Sequence, residues 1–261
     1  MNRVTSSDGT PIAFDRLGDG QPVIVVGGQL ADRALTCPTA EELAKHFTVI
    51  NYDRRGRGDS GDTAPYAVER EIEDLGTLIA EAGGTASVYG HSSGAALALR
   101  AAAYGLPISK LVLHEPPYTP DGDEDRKRAS REDAENVKTL LAEERRGDAV
   151  EYTMRGIGMP PEMVEGMSHD PGVVAMAHTM AYDSEIMGDI SRGGTIPADL
   201  IGRVMPPTLV LCGGASPEWM IDVGRRLAEG LPNGRHCVLE GEEHVVPPEK
   251  LAPVLKEFFN G

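Results

Sequence analysis

The apolar residues of this chain fall into two alternating rhythms. Val23–Val26, Phe47–Tyr52, Ala86–Tyr89, Leu111–His114, Thr208–Leu211 and His236–Leu239 are short, nearly continuous apolar runs. Runs of that length predict strands, and the unbroken Val23–Val26 predicts one covered on both faces. Between them lie stretches of helical period. Val68–Ala82 carries Ile72, Leu75, Leu78 and Ile79 at helical spacing and stops at Gly83-Gly84. Thr39-Ala40-Glu41-Glu42 reads as a capping box that opens a helix to about His46. Further helices are expected at Gly94–Tyr104, Pro217–Gly230 and Pro247–Phe259. Arg3–Thr5 and Ile12–Arg16 read as two strands joined by a turn at Asp8-Gly9. Alternating strands and helices imply a mostly parallel sheet with right-handed crossovers.

From Tyr118 to about Pro207 the alternation stops, and no strand is expected there. Asp121–Arg128 reads as a solvated, charged linker leading into a helix at Arg131–Arg145. Short helices are expected near Val150–Arg155, Pro161–Met167 and Val173–Tyr182. Seven of the ten methionines lie between Met154 and Met187. Methionine fills irregular apolar space, so Met154, Met176 and Met180 suit either a pocket wall or a small helical core. The expected division is therefore an α/β core at 1–117 and 208–261, with a helical subdomain at 118–207.

The chemistry concentrates at Ala86–Leu99, where a strand meets a small-residue helix through Gly90-His91-Ser92-Ser93-Gly94. G-x-S-x-G is the pattern of a nucleophile elbow. The two glycines suit a turn too crowded for side chains. The central Ser92 sits where a helix N-terminus supplies free N–H groups and partial positive charge. An ordinary Gly/Ser turn would give the same five residues, so the rest of the chain must decide.

Composition narrows the choice. The 261 residues carry 25 Lys plus Arg against 41 Asp plus Glu, a formal net charge of −16. Such a surface repels nucleic acid and anionic membrane. Three cysteines without a C-x-x-C pair suit reduced thiols and a cytoplasmic location. The N-terminal residues lack the apolar core of a signal peptide, and no apolar run is long enough to span a membrane. Neither a metal cluster, a phosphate loop nor a dinucleotide fingerprint occurs, so no cofactor is expected. The expected partner is a small-molecule substrate, handled by a monomer or small homo-oligomer.

Several motifs then line up in one order. Gly27-Gly28-Gln29 follows the third strand, and Asp53-Arg54-Arg55-Gly56-Arg57-Gly58-Asp59-Ser60 resembles a D-x-R-G-x-G-x-S loop. Gly90–Gly94 is the elbow, and Gly241-Glu242-Glu243-His244 with Glu249 resembles a G-x-x-H-x-x-x-x-E loop. Together they make the chain resemble an α/β-hydrolase with a helical cap inserted after the sixth strand. The resemblance implies Ser92 as nucleophile and His244 as its base. It also implies an oxyanion hole from the backbone N–H groups of Gln29 and Ser93.

One position departs from the family pattern. Most relatives have an aspartate after the seventh strand, where this chain has Ser216. Some carry the acid after the sixth strand instead, and there Glu115 precedes Pro116-Pro117. Glu115 is therefore the expected triad acid, with Asp222 in reserve and a structural glutamate as the plain alternative. Trp219, the only tryptophan, reads as a packing anchor.

The expected function is hydrolysis of an ester-like or related carbonyl bond in a small, largely apolar molecule, through an acyl-enzyme. A lyase, cyclase or isomerase of natural-product metabolism on this fold, or a non-catalytic ligand-binding member, is the alternative. An aspartate nucleophile is absent, which counts against epoxide hydrolase and haloalkane dehalogenase chemistry.

Overall fold

The structure, a computed structural model, describes residues 1–188 and 194–261. Residues 189–193, inside the stretch 118–207, lie outside the described residues. The two N-terminal strands and the six apolar runs, with their flanks, form β1 (Asn2–Thr5), β2 (Pro11–Leu17), β3 (Pro22–Val26), β4 (Thr48–Tyr52), β5 (Ala86–His91), β6 (Ile108–His114), β7 (Thr208–Gly213) and β8 (Gly234–Leu239). They make one sheet in the order β1-β2-β4-β3-β5-β6-β7-β8. The β1–β2 and β2–β4 pairs are antiparallel, and every pair from β4 to β8 is parallel.

Within a strand, successive side chains take opposite faces. Ile24 and Val26 enter one apolar layer with α2 (Val68–Glu81), α3 (Ser93–Tyr104) and α10 (Glu218–Gly230). Val23 and Val25 enter the other with α1 (Arg33–Ala44) and α11 (Pro248–Asn260). Burial on both faces explains why these strands read as continuous apolar runs. Trp219 of α10 packs at the edge of the first layer, under the guanidinium of Arg126.

Two element boundaries differ from the sequence reading. The helix expected from Thr39 begins a turn and a half earlier at Arg33, because the Asp32 carboxylate accepts the Leu35 N–H at 2.9 Å and caps it there. Likewise Asp121–Arg128 is mostly helix, not linker: α4 runs Glu124–Ala142. Asp123 caps it through Arg126 N–H, and Lys127–Glu124 and Arg128–Asp125 pair one turn apart at 3.0 and 2.7 Å. Charge pairing on a solvent face replaces the apolar stripe that marks most helices.

α4 is followed by α5 (Arg146–Gly156), α6 (Pro161–His169), α7 (Pro171–Met176), a 3₁₀ turn at Ala177–Thr179, α8 (Met180–Ile186) and the short α9 (Ala198–Ile201). Met154, Met176 and Met180 are interior to this group, clustered with Val137, Val150 and Val164. Leu30, from the loop after β3, joins the same cluster and ties the inserted helices to the core. No described helix is long and apolar enough to cross a membrane.

Candidate active site

The strand order reverses at β3, which lies between β4 and β5. In such sheets the loops beyond the carboxyl ends of the central strands diverge and leave a crevice. The loop after β3 carries Gln29, and the turn after β5 carries Ser92.

Ser92 has φ 55° and ψ −126°, a conformation serine adopts under constraint. The surroundings enforce it. The Ser92 N–H donates to the His114 carbonyl at 2.9 Å, and its own carbonyl accepts from Ala95 N–H at 2.9 Å as α3 begins. A Cβ at Gly90 would stand 2.6 Å from the Gly94 carbonyl, and one at Gly94 would stand 2.4 Å from that of Val26. Both positions exclude side chains through close approach, not through positive φ. Gly28 lies against the same turn, with its would-be Cβ 3.0 Å from that of Ser92.

Glu115, the residue after β6, also has positive φ, at 46°. Its N–H continues the ladder to the Leu211 carbonyl at 3.0 Å. Its buried carboxylate turns to the histidine loop. Oε2 lies 2.5 Å from His244 Nδ1, and Oε1 accepts the Gly213 N–H at 2.8 Å. Burial by itself would raise the Glu115 pKa. The hydrogen bonds from His244 and Gly213, with the Ser216 hydroxyl beside them, hold the carboxylate below its ordinary range instead.

A carboxylate on Nδ1 fixes the proton there and leaves Nε2 of a neutral His244 as a base. The His244 ring is partly exposed while Glu115 behind it is buried. Bonds from Gly214 N–H to Leu239 and from Ala215 N–H to Glu242, both 2.8 Å, pin the loop that carries it.

The elbow and the histidine loop are joined through His91. Its Nε2 lies 2.9 Å from the His244 carbonyl, which can only accept, so His91 carries its proton on Nε2. The two rings stand 4.6 Å apart between centroids. Burial and the neighbouring His244 push the His91 pKa down to about 4. His114, buried behind them with Nδ1 2.8 Å from the Tyr89 hydroxyl, is also held neutral by burial. Asp222, the reserve acid, is engaged elsewhere: its oxygens pair with Arg225 at 2.6 Å and Arg226 at 2.7 Å on α10.

Sequence reasoning missed a buried ionic network under the site. Arg54, Arg55 and Arg57 are each essentially inaccessible to solvent. Arg54 forms a two-pronged pair with Glu71 at 2.8 Å, and Arg55 does the same with Asp74. Arg54 and Arg57 also converge on Asp183 of α8, whose Oδ1 accepts the Ser93 hydroxyl at 2.8 Å. A signal was available: Glu71 and Asp74 sit among Ile72, Leu75, Leu78 and Ile79, so carboxylates share the buried side of α2. Two unmatched charges on an apolar face require cationic partners.

Residues 23–250 match the alpha/beta hydrolase family. The chain belongs to that family, and it is an enzyme of the hydrolase class. A solved alpha/beta hydrolase from Sphaerobacter thermophilus DSM 20745 is 52% identical, with a TM-score of 0.86 over 99% of this chain and 100% of that one. Among curated proteins, the (E)-2-((N-methylformamido)methylene)succinate hydrolase of Acinetobacter baylyi is 25% identical over 93% of this chain and 91% of that protein. The N-formylmaleamate deformylase of Pseudomonas putida is 35% identical over 40% of this chain and 41% of its own.

Proposed function

We propose that the protein is a serine hydrolase that cleaves an ester-like or related carbonyl bond of a small, largely apolar molecule by way of an acyl-enzyme. The observation that carries this reading is the 2.5 Å contact between His244 Nδ1 and Glu115, beside an elbow that holds Ser92 at positive φ.

In this mechanism Ser92 Oγ attacks the carbonyl carbon while His244 Nε2 takes the hydroxyl proton. The Glu115 carboxylate stabilises the imidazolium so formed. The N–H groups of Gln29 and Ser93 receive the oxyanion. His244 returns the proton to the leaving group as the acyl–leaving-group bond breaks. A water, activated by the same nitrogen, then releases the acid and restores Ser92. Helices α4 to α9 form the cap over this site. The Met-rich cluster supports it by packing on Leu30, next to Gln29.

A second reading of the scissile bond comes from the curated relatives, whose names contain N-formyl and N-methylformamido groups. An amide or formyl bond passes through the same tetrahedral intermediate and needs the same residues. The test is a panel of p-nitrophenyl acetate and butyrate beside N-formyl amides, run on the wild type and on Ser92→Ala. Turnover of at least one class, lost in the variant, supports the proposal. Turnover that survives the substitution rejects it.

A further inference from the structure

The Gly28 carbonyl is the partner of an unusual donor. Nη1 of the buried Arg57 donates to it, while the backbone N–H of Ala31 reaches it at 3.3 Å. The turn from Gly28 to Ala31 has Leu30 at φ 54°, so this loop is held against its own preference. Gly28 C=O and Gln29 N–H belong to one trans peptide, whose two dipoles point in opposite directions within a rigid plane. Whatever grips the carbonyl therefore sets the direction of the N–H.

Arg57 is gripped in turn. Its Nη2 meets both Asp183 oxygens, at 2.9 and 2.8 Å. The same Oδ1 accepts from Arg54 Nη1 and from the Ser93 hydroxyl, each at 2.8 Å. One buried carboxylate from the inserted helices thus holds the side chain of Ser93 and, through Arg57, the peptide of Gln29. These are the two residues assigned above as oxyanion donors.

We propose that Arg57, anchored by Asp183, is a positioning residue for the oxyanion hole. It locks the Gly28–Gln29 peptide by its carbonyl so that the Gln29 N–H faces the reacting oxygen beside Ser92. The inference rests on the serine-hydrolase reading. It adds that correct seating of α8 on the core is a condition for transition-state stabilisation, although Arg57 and Asp183 are both buried beneath the site.

The test compares wild type, Arg57→Gln, Arg57→Lys and Ser93→Ala on p-nitrophenyl acetate, with sites counted by a fluorophosphonate endpoint titration. Loss of a correctly aimed oxyanion donor lowers kcat by about 10²-fold or more. Arg57→Gln is expected to approach that loss per titrated site with KM within about threefold, and Arg57→Lys to recover part of it. A structural role alone would lower the melting temperature and the titrated fraction while leaving kcat per site intact, which overturns the proposal. If Arg57→Gln does not fold, Arg57→Lys decides. It keeps a charge for Asp183 but loses the planar guanidinium that reaches Asp183 and the Gly28 carbonyl together, and should lower kcat per titrated site about fivefold, the worth of one hydrogen bond; an unchanged kcat per site counts against the proposal. Ser93→Ala, which spares the Arg57 bonds, is the control for loss of the neighbouring hydrogen bond to Asp183. A crystal structure of Arg57→Lys or Arg57→Gln separates this idea from the reading beneath it. A rotated Gly28–Gln29 peptide supports the lock even if wild type hydrolyses no ester, and an unmoved peptide refutes it.

Discussion

Glu115 Oε2 meets His244 Nδ1 at 2.5 Å from a carboxylate whose other oxygen is held by the Gly213 N–H. The carboxylate is thus held at both oxygens. In the proposed mechanism its place after β6 compensates for Ser216, which cannot balance the charge of an imidazolium.

Glu115→Gln keeps the shape and removes the charge. If Glu115 is the triad acid, kcat falls by about 10³–10⁴-fold, as with other triads that lose the carboxylate. Asp222→Asn, on a carboxylate already engaged by two surface arginines, leaves kcat near wild type. Steady-state kinetics on one ester checks both.

The histidines of the site predict how stability depends on pH. An unfolded histidine titrates near 6.5 and His91 in the fold near 4, so the unfolded chain binds protons first as pH falls. Stability present above about pH 6.5 is therefore lost progressively toward pH 4, and His114 adds to the loss with the same sign. The lowered pKa of Glu115 extends the loss as the pH falls below the ordinary glutamate value of 4.5. Replacing His91 by Gln keeps an N–H donor for the His244 carbonyl but removes one titration. Melting temperature against pH should show a shallower slope in that variant between 6.5 and 4; an unchanged slope would show that His91 does not titrate there.

Met180 is almost wholly buried in the cluster that includes Leu30. Met180→Ala is expected to cost about 2–5 kcal/mol of stability, the usual range for emptying such a site. Denaturant titration measures it. Rates on small and large esters should fall together, because this methionine is interior to the helices. A large change in ester preference at constant stability would instead make it a pocket wall.

The main lines of the fold were legible because the central strands are buried on both faces and show as apolar runs such as Val23–Val26. Less legible were elements held by polar pairing. The start of α1 depends on the Asp32 cap, and the first turns of α4 depend on ion pairs between Asp, Glu, Lys and Arg. At the candidate site, the elbow motif pointed to Ser92, and the missing aspartate at Ser216 directed attention to Glu115. The arginines of the Asp53–Ser60 loop gave no sign of their burial. Their partners lie far along the chain: Arg54 is 17 residues from Glu71 and 129 from Asp183. Only the fold brings those charges together.

The most direct measurement is to mix the enzyme with p-nitrophenyl acetate, quench within the first turnovers and locate the acetyl group by peptide mass spectrometry. The proposed mechanism predicts one acetyl group on Ser92, absent in Ser92→Ala and accumulating with a burst of p-nitrophenol in the wild type. Acetylation of Ser93 or another residue with Ser92 untouched, or steady hydrolysis that continues in Ser92→Ala, would contradict it.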